Sequence, residues 1–439
     1  MIWLYRICFL PALVVALPYY AWRMWRRGGY RSGFLHRFGL FRKLPAPAPG
    51  VNRIWIQAVS VGELLAAAPL IDRLRGAGHE VILTTTTSTG FALARRRHAG
   101  DVTLTGVFPL DFWPTSALAW RRLRPDAAIL FESELWPEHL HQAGRRGIPV
   151  FLVNARLSER SFNRYLRLRA LARPLLRPLT TVLAASPTDE ERHRCLRPRA
   201  AVHLTGNLKV DFDPEPRLDD AAKRSLATEC GFVDDASPSG APLPPILLGA
   251  STWPGEEAAL VEAWKQLSTE NPGLCLILVP RHAERRREVA ADLRAAGVEP
   301  VLRTELRAES RPAPAGTRVY VADTTGELRR FTQLADAVFV GKSLPPHVQG
   351  QTPIEAAGYG KPVFFGPGMK EFSDIAAALV REGAAEVVPD AAQLAPRIAP
   401  VLGDAEARAR RGAAARRWFE ANRGAVDRAW KHIRAGLEA

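Results

Sequence analysis

The regular alternation of short apolar segments with longer amphipathic ones limits the fold of this 439-residue chain more than any other feature. From residue 53 the order is strand, loop and helix, and the first helix is predicted over residues 64–75. Apolar strands that show no alternation with polar residues are typical of parallel sheets that helices cover on both faces. In the first half, strands are predicted at residues 53–59, 81–85, 126–131 and 149–153.

The second half of the chain repeats this order after a segment rich in proline and acidic residues, 211–245. Its strands are predicted at residues 245–250, 274–279, 318–321, 337–340 and 362–365. A chain of this length exceeds one ordinary hydrophobic core. We therefore predict an α/β protein with two Rossmann-like domains facing each other across a cleft, in which ligands bind at the carboxyl ends of the strands.

The N-terminal segment is rich in Trp, Tyr, Leu and Val, and its uncharged stretch covers residues 7–22. This stretch is shorter than the roughly 20 residues that a spanning helix needs. Arg6 precedes it, no small-residue cleavage site follows it, and a basic flank comes after it, formed by Arg23, Arg26, Arg27 and Arg31. The pattern predicts a membrane anchor, either monotopic or a tilted short span with its C-terminal side in the cytoplasm. The alternative is a buried first helix.

These features give predicted domain boundaries along the whole chain. Residues 1–27 form the membrane anchor and residues 28–212 an N-terminal Rossmann-like domain. Residues 213–243 form a linker that contains some helix, and residues 244–439 form a C-terminal Rossmann-like domain.

The formal net charge of +15 favours an anionic partner: nucleic acid, anionic lipid or a phosphorylated substrate. Arginine on solvated helices explains part of this excess. No zinc finger, RNA-binding aromatic signature or helix-turn-helix pattern is present, which disfavours nucleic acid. The four cysteines lie far apart without metal-ligand or redox spacing, so thiol chemistry is not expected.

Two predicted strand ends in the first half carry acidic residues suited to catalysis. Glu63 lies in the first helical turn after the loop that contains Ser60 and Gly62. A carboxylate there often only stabilises the helix N-terminus, but a strand end facing a cleft is also a rigid mount for a general base. Glu132 and Glu134 follow another strand. We favour a site role for Glu132 and leave Glu134 open, since one of the two could cap a helix that starts near Pro137.

Further polar loops follow the strands of both halves. Lys209 lies at the domain junction, where its cation could meet a phosphate or carboxylate. Arg281 follows a predicted strand and offers a planar fork to the same groups, whereas the neighbouring His282 is more often structural. Two loops that run into helices, at residues 323–328 and 349–355, suit phosphate or ribose binding. The acid-x-acid pattern at residues 211–213 is too short to predict a metal site.

In this order, the loops resemble those of the 3-deoxy-D-manno-octulosonic acid (Kdo) transferases over nearly the whole chain. The segments that carry the resemblance are Ser60-Val-Gly-Glu63, Glu132-Ser-Glu-Leu-Trp-Pro137, Asn154-Ala-Arg-Leu-Ser158, Gly206-Asn-Leu-Lys209, Ser251-Thr-Trp-Pro-Gly-Glu256, Val279-Pro-Arg-His282, Asp323-Thr-Thr-Gly-Glu327 and Pro353-Ile-Glu-Ala-Ala357. Each motif is short, and the ordered set is what makes the resemblance specific.

The resemblance implies the GT-B fold and a metal-independent, inverting transfer of Kdo from CMP-Kdo to a lipid A precursor, a tetraacyldisaccharide bisphosphate. It implies that the domain 28–212 binds the acceptor and the domain 244–439 the CMP-sugar donor. It further implies that Glu63 is the general base, with Glu132 and Lys209 supporting the transition state. It also implies a location at the cytoplasmic face of the inner membrane, on an anionic surface, with no cofactor and no nucleic acid. The implied CMP-binding residues are Pro280, Arg281, Thr325, Gly326, Glu327, Thr352, Pro353, Ile354 and Glu355.

Departures from the family pattern cluster on the donor side. Trp253 replaces a common histidine, Lys342 replaces a glycine, and residues 349–352 read Gln-Gly-Gln-Thr instead of Gly-Gly-His-Asn. These departures keep open the alternative of a GT-B transferase that uses another nucleotide sugar or another lipid acceptor. A second alternative, a non-catalytic protein that binds an anionic ligand, is disfavoured by the presence together of Glu63, Glu132, Lys209 and Arg281.

Overall fold

The computed structural model describes residues 2–27, 33–196, 200–234, 238, 240–309 and 311–438. The chain forms two compact units, one of Met1–Phe212 with Asn422–Ala439 and one of Asp213–Ala421. Each unit is built around one seven-stranded sheet in which all neighbouring strands are parallel. The predicted α/β class with two parallel sheets is confirmed.

The first unit has the strand order β3-β2-β1-β4-β5-β6-β7. Its strands are β1 Arg53–Gln57, β2 Glu80–Thr85, β3 Leu104–Val107, β4 Ala127–Phe131, β5 Val150–Ala155, β6 Thr181–Ala184 and β7 Ala201–Leu204. Its helices before residue 212 are α1 Ile2–Arg27, α2 Val61–Gly76, α3 Ser88–Arg97, α4 Trp113–Leu123, α5 Pro137–Arg145, α6 Glu159–Arg167, α7 Arg169–Leu176 and α8 Pro187–Leu196.

Helices cover both faces of this sheet, which explains why its strands lack polar alternation. Ile54 and Ile56 of β1 lie in one hydrophobic cluster with Leu64 and Leu70 of α2. Trp55, between them, points to the opposite face and lies in a second cluster. Every residue of β1 is buried, and its three central residues form an uninterrupted apolar run between Arg53 and Gln57.

The second unit repeats the architecture with the strand order β10-β11-β9-β8-β12-β13-β14. Its strands are β8 Ile246–Thr252, β9 Cys275–Pro280, β10 Val301–Leu302, β11 Val319–Val321, β12 Ala337–Val340, β13 Val363–Phe365 and β14 Ala385–Val387. Its helices are α9 Asp220–Glu229, α10 Glu256–Glu270, α11 Arg286–Ala295, α12 Arg303–Ala308, α13 Leu328–Leu334, α14 Ile354–Gly358, α15 Ser373–Arg381, α16 Leu394–Gly403 and α17 Ala405–Asn422.

The C-terminal helix α18, Ala425–Glu438, belongs to the first unit, in contrast to the predicted single domain 244–439. Ala425, Ala429 and Ile433 are buried in the core that contains β1 and α2. The carboxylate of Asp211 accepts hydrogen bonds from the backbone N–H groups of Gly424 at 2.7 Å and Val426 at 2.6 Å. Asp211 therefore caps the start of α18, which accounts for one acid of the short pattern at residues 211–213.

The predicted linker 213–243 contains more ordered structure than a flexible connection would. Helix α9 buries Leu226 and Ala227, and the turn after it buries Cys230 and Phe232. The Phe232 ring meets the Tyr320 ring of β11 edge-on at 6.2 Å between centroids. This segment is therefore part of the packed second unit.

Helix α1 confirms the predicted apolar N-terminal helix. Residues Ile2–Tyr19 have a mean hydropathy of 1.7, and none of them is buried. By length and composition this is the one described helix that could cross a membrane. Of the predicted basic flank, the side chains of Arg23, Arg26 and Arg27 and the whole of Arg31 lie outside the described residues.

The N-terminal half of α1 is fastened to the first unit by polar contacts. The Nε and Nη2 groups of Arg6 donate to the carboxylate of Glu138 in α5, at 2.9 and 2.8 Å. The Tyr5 hydroxyl donates to Asp111 at 2.6 Å. The carboxylate of Asp111 in turn accepts the backbone N–H of Glu138 at 3.0 Å. The first turns of α1 are thus held against the start of α5.

Candidate active site

Glu63 and Glu132 follow adjacent strands at the point where the sheet of the first unit changes winding direction. From β1 the chain runs outward to β2 and β3, and from β4 it runs the other way to β7. In open parallel sheets, ligands bind outside the carboxyl ends of the two strands at such a switch point. Glu63 follows β1 and Glu132 follows β4, so the structure brings these two predicted site residues to one sheet edge.

Glu63 is held rigidly in the first turn of α2. Its backbone N–H donates to the Ser60 hydroxyl oxygen at 3.4 Å, and the Ser60 hydroxyl donates to Glu63 Oε1 at 3.2 Å. Glu63 Oε2 accepts the backbone N–H of Val59 at 2.8 Å. This is a reciprocal capping arrangement, and it fixes the direction of the carboxylate. The side chain therefore has a local structural role as well as a position suited to chemistry.

Burial raises the pKa of Glu63 from its ordinary 4.5 to about 7. The hydrogen bond from Val59 works against this shift, whereas the negative charges of Glu132 and Glu134 add to it. The residue is 8% exposed, so little water solvates the charged form. A carboxylate with a pKa near the operating pH is well matched to general-base catalysis, because it accepts a proton readily and is still available in its basic form.

Glu132 is paired with the predicted cation. Lys209, in the single turn Leu208–Asp211, places its Nζ 2.6 Å from Glu132 Oε1. Both side chains are about one-fifth exposed, so the pair is open to a ligand. Glu132 has a φ of 53°, a left-handed conformation that is costly for a residue with a side chain and is often found at functional sites. The structure thus brings these two residues together, which the sequence did not predict, while their catalytic role stays a prediction.

Asn154, at the end of the next strand β5, was missed as a site residue. It is fully buried and also left-handed, with a φ of 53°. Its Oδ1 accepts the backbone N–H of Leu208 at 3.0 Å, and its Nδ2 lies 3.5 Å from Glu132 Oε1. Asn154 therefore positions the turn that carries Lys209. The polar residue at the end of an apolar strand was the available signal.

In the second unit the winding direction changes between β8 and β12, and a buried carboxylate ties these two strand ends together. Glu256, in the first turn of α10, is 2% exposed. Gly341, directly after β12, lies so close to β8 that a Cβ there would be 2.6 Å from the Ser251 carbonyl oxygen. Glu256 accepts backbone N–H groups at 2.7–3.1 Å from Trp253, Lys342, Ser343 and Leu344.

The predicted nucleotide-binding residues all lie in the second unit, after strands β9, β11 and β12. Pro280 ends β9 and is buried, and the side chain of Arg281 is exposed. The Thr352 hydroxyl oxygen accepts the backbone N–H of Ile354 at 3.3 Å. Ile354 is 1% exposed, so its side chain belongs to the core and only its backbone can serve a ligand.

Among these candidates, Glu355 has an unsatisfied hydrogen-bond acceptor. Its Oε2 is buried and has no hydrogen-bond partner within the described ranges. Burial raises the pKa of Glu355, while the charges of Arg329 and Arg281 act in the opposite direction. A buried carboxylate oxygen without a partner is costly unless a ligand supplies a donor. Hydroxyl groups of a ribose are donors of the required kind.

The carboxylate of Glu327 is already engaged in hydrogen bonds within the protein. It accepts two hydrogen bonds from Arg303, at 2.7 and 2.8 Å, one from Arg307 at 2.9 Å and one from the Thr324 hydroxyl. Although burial acts against it, the bond from Arg303 contributes most to lowering the pKa of Glu327 to about 2. The exposed loop Thr325–Gly326 offers a ligand its backbone groups and the Thr325 hydroxyl. This ion-pair network was not foreseen from the sequence.

No group of three His, Cys, Asp or Glu side chains in the described part of the chain could hold a metal ion. The metal independence implied by the resemblance remains a prediction.

Comparison with known proteins agrees with the resemblance of the loops. Residues 32–212 match the family described as 3-deoxy-D-manno-octulosonic-acid transferase (kdotransferase). A 3-deoxy-D-manno-octulosonic acid transferase of Haemophilus influenzae is 30% identical over 98% of this chain and 95% of its own length. The corresponding protein of Bordetella pertussis is 34% identical over 92% of this chain and 93% of its own length.

Solved structures support the fold alone. A UDP-GlcNAc 2-epimerase from Neisseria meningitidis superposes with a TM-score of 0.59 at 12% identity, covering 88% of this chain and 100% of that one. Together with the two parallel sheets and the apolar N-terminal helix, this likeness confirms the predicted GT-B fold class.

Proposed function

Because this chain belongs to the Kdo transferase family, we propose that it transfers Kdo from CMP-Kdo to a lipid A precursor, with inversion at the anomeric carbon. The chain is a glycosyltransferase by its family and fold. The single observation that supports the proposed chemistry best is Glu63, a fixed and buried carboxyl group with a pKa near 7 at the switch point of the first unit.

Glu63 acts as the general base in this proposal. One carboxylate oxygen takes the proton of the acceptor hydroxyl while that hydroxyl oxygen bonds to the anomeric carbon of Kdo. The bond from this carbon to the phosphate oxygen breaks, and CMP leaves with the electron pair. The transition state resembles the oxocarbenium ion of glycoside hydrolysis. Attack from the side opposite the phosphate inverts the centre. General-base catalysis of this kind contributes 10²–10⁴-fold in typical enzymes.

Lys209 and Glu132 support this step. The pair places one cation and one carboxylate on the edge that carries Glu63, and neither side chain is sealed from a ligand. Lys209 stabilises negative charge on the substrate, and Glu132 keeps the lysine side chain in position. Glu132 also raises the pKa of Glu63, which strengthens it as a base.

The donor-side residues bind CMP in this proposal. The guanidinium group of Arg281 pairs with the phosphate, and Glu355 accepts hydrogen bonds from the ribose hydroxyls through its unpartnered Oε2. Phosphate is a good leaving group once cations neutralise it. The reaction then needs no metal ion, in line with the implied metal independence.

We further propose that α1 is monotopic, with both its ends on the cytoplasmic side of the inner membrane. The bond from Arg6 to Glu138 and the bond from Tyr5 to Asp111 hold its first turns on the first unit. If α1 crossed the membrane with its N-terminus on the far side, both of these bonds would be broken. The exposed apolar side chains suited to contact lipid are Trp3, Leu4, Ile7, Leu10, Val14, Val15, Leu17, Tyr19 and Trp22.

The decisive test of the activity uses the purified full-length protein in detergent. It is incubated with CMP-Kdo, generated in situ, and with tetraacylated lipid A precursor, and the lipid is analysed by mass spectrometry. Addition of Kdo supports the proposal. No added mass with active CMP-Kdo refutes it. Thermal stabilisation by UDP in place of CMP would favour the alternative, a transferase for another nucleotide sugar.

The test of the helix orientation uses a protease-sensitive tag at the N-terminus. In sealed vesicles of known sidedness, a monotopic α1 makes the tag cleavable only from the cytoplasmic face. Cleavage from the opposite face would show that the helix spans the membrane. A tag at the C-terminus, after α18, serves as the control for the cytoplasmic face.

A further inference from the structure

Trp253 and Lys342 form a stacked pair at the switch point of the second unit. Trp253 follows β8 and Lys342 follows β12, the two strands between which the winding direction changes. The ammonium group of Lys342 lies 4.5 Å from the centroid of the Trp253 ring. This is a cation–π contact, in which the ring attracts the cation without neutralising its charge. The two residues are far apart in the sequence, and their side chains are in contact.

Both partners of this pair are fixed by the same carboxylate. Glu256 accepts the backbone N–H of Trp253 at 2.9 Å and that of Lys342 at 2.7 Å. Lys342 has a φ of 59°, a strained left-handed conformation for a residue with a side chain. The bonds to Glu256 offset this strain and set the position of the lysine. The cation is therefore placed before any ligand arrives.

The one carboxylate described above at this pair, that of Glu256, is engaged by backbone N–H groups and does not bind the ammonium group of Lys342. In the ranges that the structure describes, the ammonium group of Lys342 makes no ion pair or hydrogen bond, and neither does the guanidinium group of Arg281 after β9. The rings of His282 and His347 meet Trp253 edge-on, at 5.3 and 5.9 Å between centroids. Among the described residues, the buried Nε1–H of Trp253 finds no acceptor. A site with these properties suits an anionic ligand.

We propose that the Trp253–Lys342 pair is a subsite for the carboxylate of the donor sugar, separate from the residues that bind CMP. This inference rests on the proposed function, because the donor there carries a carboxylate and a phosphate on one carbon. Strands β9 and β12 flank β8, so their ends are roughly 10 Å apart. Arg281 and Lys342 are long enough to reach toward each other over this distance. Arg281 takes the phosphate and Lys342 takes the carboxylate.

The subsite makes Lys342 a determinant of specificity for acidic sugars. A neutral nucleotide sugar would leave its ammonium group without an anion, whereas the nucleotide alone does not need it. Trp253 acts through Lys342 and is a positioning residue. Removal of the ring leaves the charge in place but frees the side chain, so the effect of Trp253→Ala should be smaller than that of Lys342→Met.

The experiment compares two measurements on the full-length protein in detergent: the KM for CMP-Kdo in the transfer assay, and the Kd for CMP by titration calorimetry. For Lys342→Met we expect KM to rise roughly 10- to 100-fold, as for the loss of one charge-assisted contact, with less than a twofold change in the Kd for CMP. Lys342→Arg keeps the charge and should recover most of the affinity. Lys431→Met, exposed on α18, is the matched control and should change neither value.

The outcomes separate the two hypotheses. Absence of Kdo transfer by the wild-type protein overturns the proposed function, and the subsite with it. If the wild type is active, an unchanged KM in Lys342→Met overturns the subsite alone and leaves the stacked pair with a structural role. A Kd for CMP that weakens as much as KM also overturns it, because Lys342 would then contact the nucleotide.

Discussion

Replacing Glu63 with Gln changes the energetics of the fold and the chemistry in opposite directions. The side chain is 8% exposed, and burial raises its pKa from 4.5 to about 7. Gln keeps the shape and can still accept the N–H of Val59, but it carries no charge and cannot take a proton. We expect turnover to fall by 10²–10⁴-fold, the range typical for loss of a general base.

The same pKa gives the size and sign of the effect on stability. A rise from 4.5 to about 7 corresponds to about 3 kcal/mol of extra cost for the charged form in the folded state. The folded state therefore has its full stability below pH 4.5 and loses this amount as the pH rises through 7. Glu63→Gln avoids that cost. It should match the wild type near pH 4.5 and exceed it at pH 8 by up to about 3 kcal/mol.

Two measurements check this reasoning. Chemical denaturation at pH 4.5 and pH 8 gives the stability difference, and kcat/KM between pH 5 and 9 gives the profile of the base. The wild-type kcat/KM should rise with pH to a plateau above about pH 8, with the midpoint at the pKa of Glu63, about 7. Full turnover in Glu63→Gln would refute the catalytic role. If Glu63→Gln is less stable than the wild type by the same amount at pH 4.5 and pH 8, the predicted cost of burying the charged form of Glu63 is refuted.

The remaining predictions concern three charged side chains. Lys209→Met leaves Glu132 without the cation now 2.6 Å away, and transfer should fall about 10- to 100-fold with little change in thermal stability; a large loss of stability would indicate a structural ion pair. Glu355→Gln should weaken CMP binding several-fold by calorimetry, since its Oε2 is the free acceptor, and an unchanged Kd would exclude the ribose contact. Arg6→Ala leaves the fully buried Glu138 carboxylate unpaired and should lower the free energy of unfolding by about 3–5 kcal/mol in denaturant titrations. Glu138→Gln in the same chain should recover part of this loss, and no loss in Arg6→Ala would mean that α1 is not docked.

The strands that line the candidate site could be predicted because burial on both faces leaves a continuous apolar run. β1, β4, β8 and β9 all match predicted strands to within a few residues. Five strands were not predicted from the sequence: β3, β6, β7, β10 and β14. Four of them lie at the edges of the two sheets, whereas β6 is an internal strand of only four residues. β7 is an edge strand with two exposed residues of four, and β3, at the other edge of the same sheet, contains Thr105 and Gly106, which weaken the apolar signal. Edge strands have fewer apolar residues to show.

The functional residues also include features that the sequence predicted and features that it could not predict. Glu63 and Glu132 could be proposed from their positions after apolar strands, and Lys209 from a polar loop. Their pairing could not, because Lys209 lies 77 positions after Glu132 and reaches it through a turn that Asn154 holds. A short apolar strand predicts where a loop begins, but the partner of the loop depends on strand order.

The sequence by itself determined two repeated α/β units, the apolar N-terminal helix and the polar loops at strand ends, because each depends on local periodicity and composition. The tertiary structure alone decided which loops share a switch point, since that follows from strand order rather than chain order. It also decided that α18 completes the first unit and that Lys342 stacks on Trp253. These are contacts between distant segments, and no local pattern specifies them.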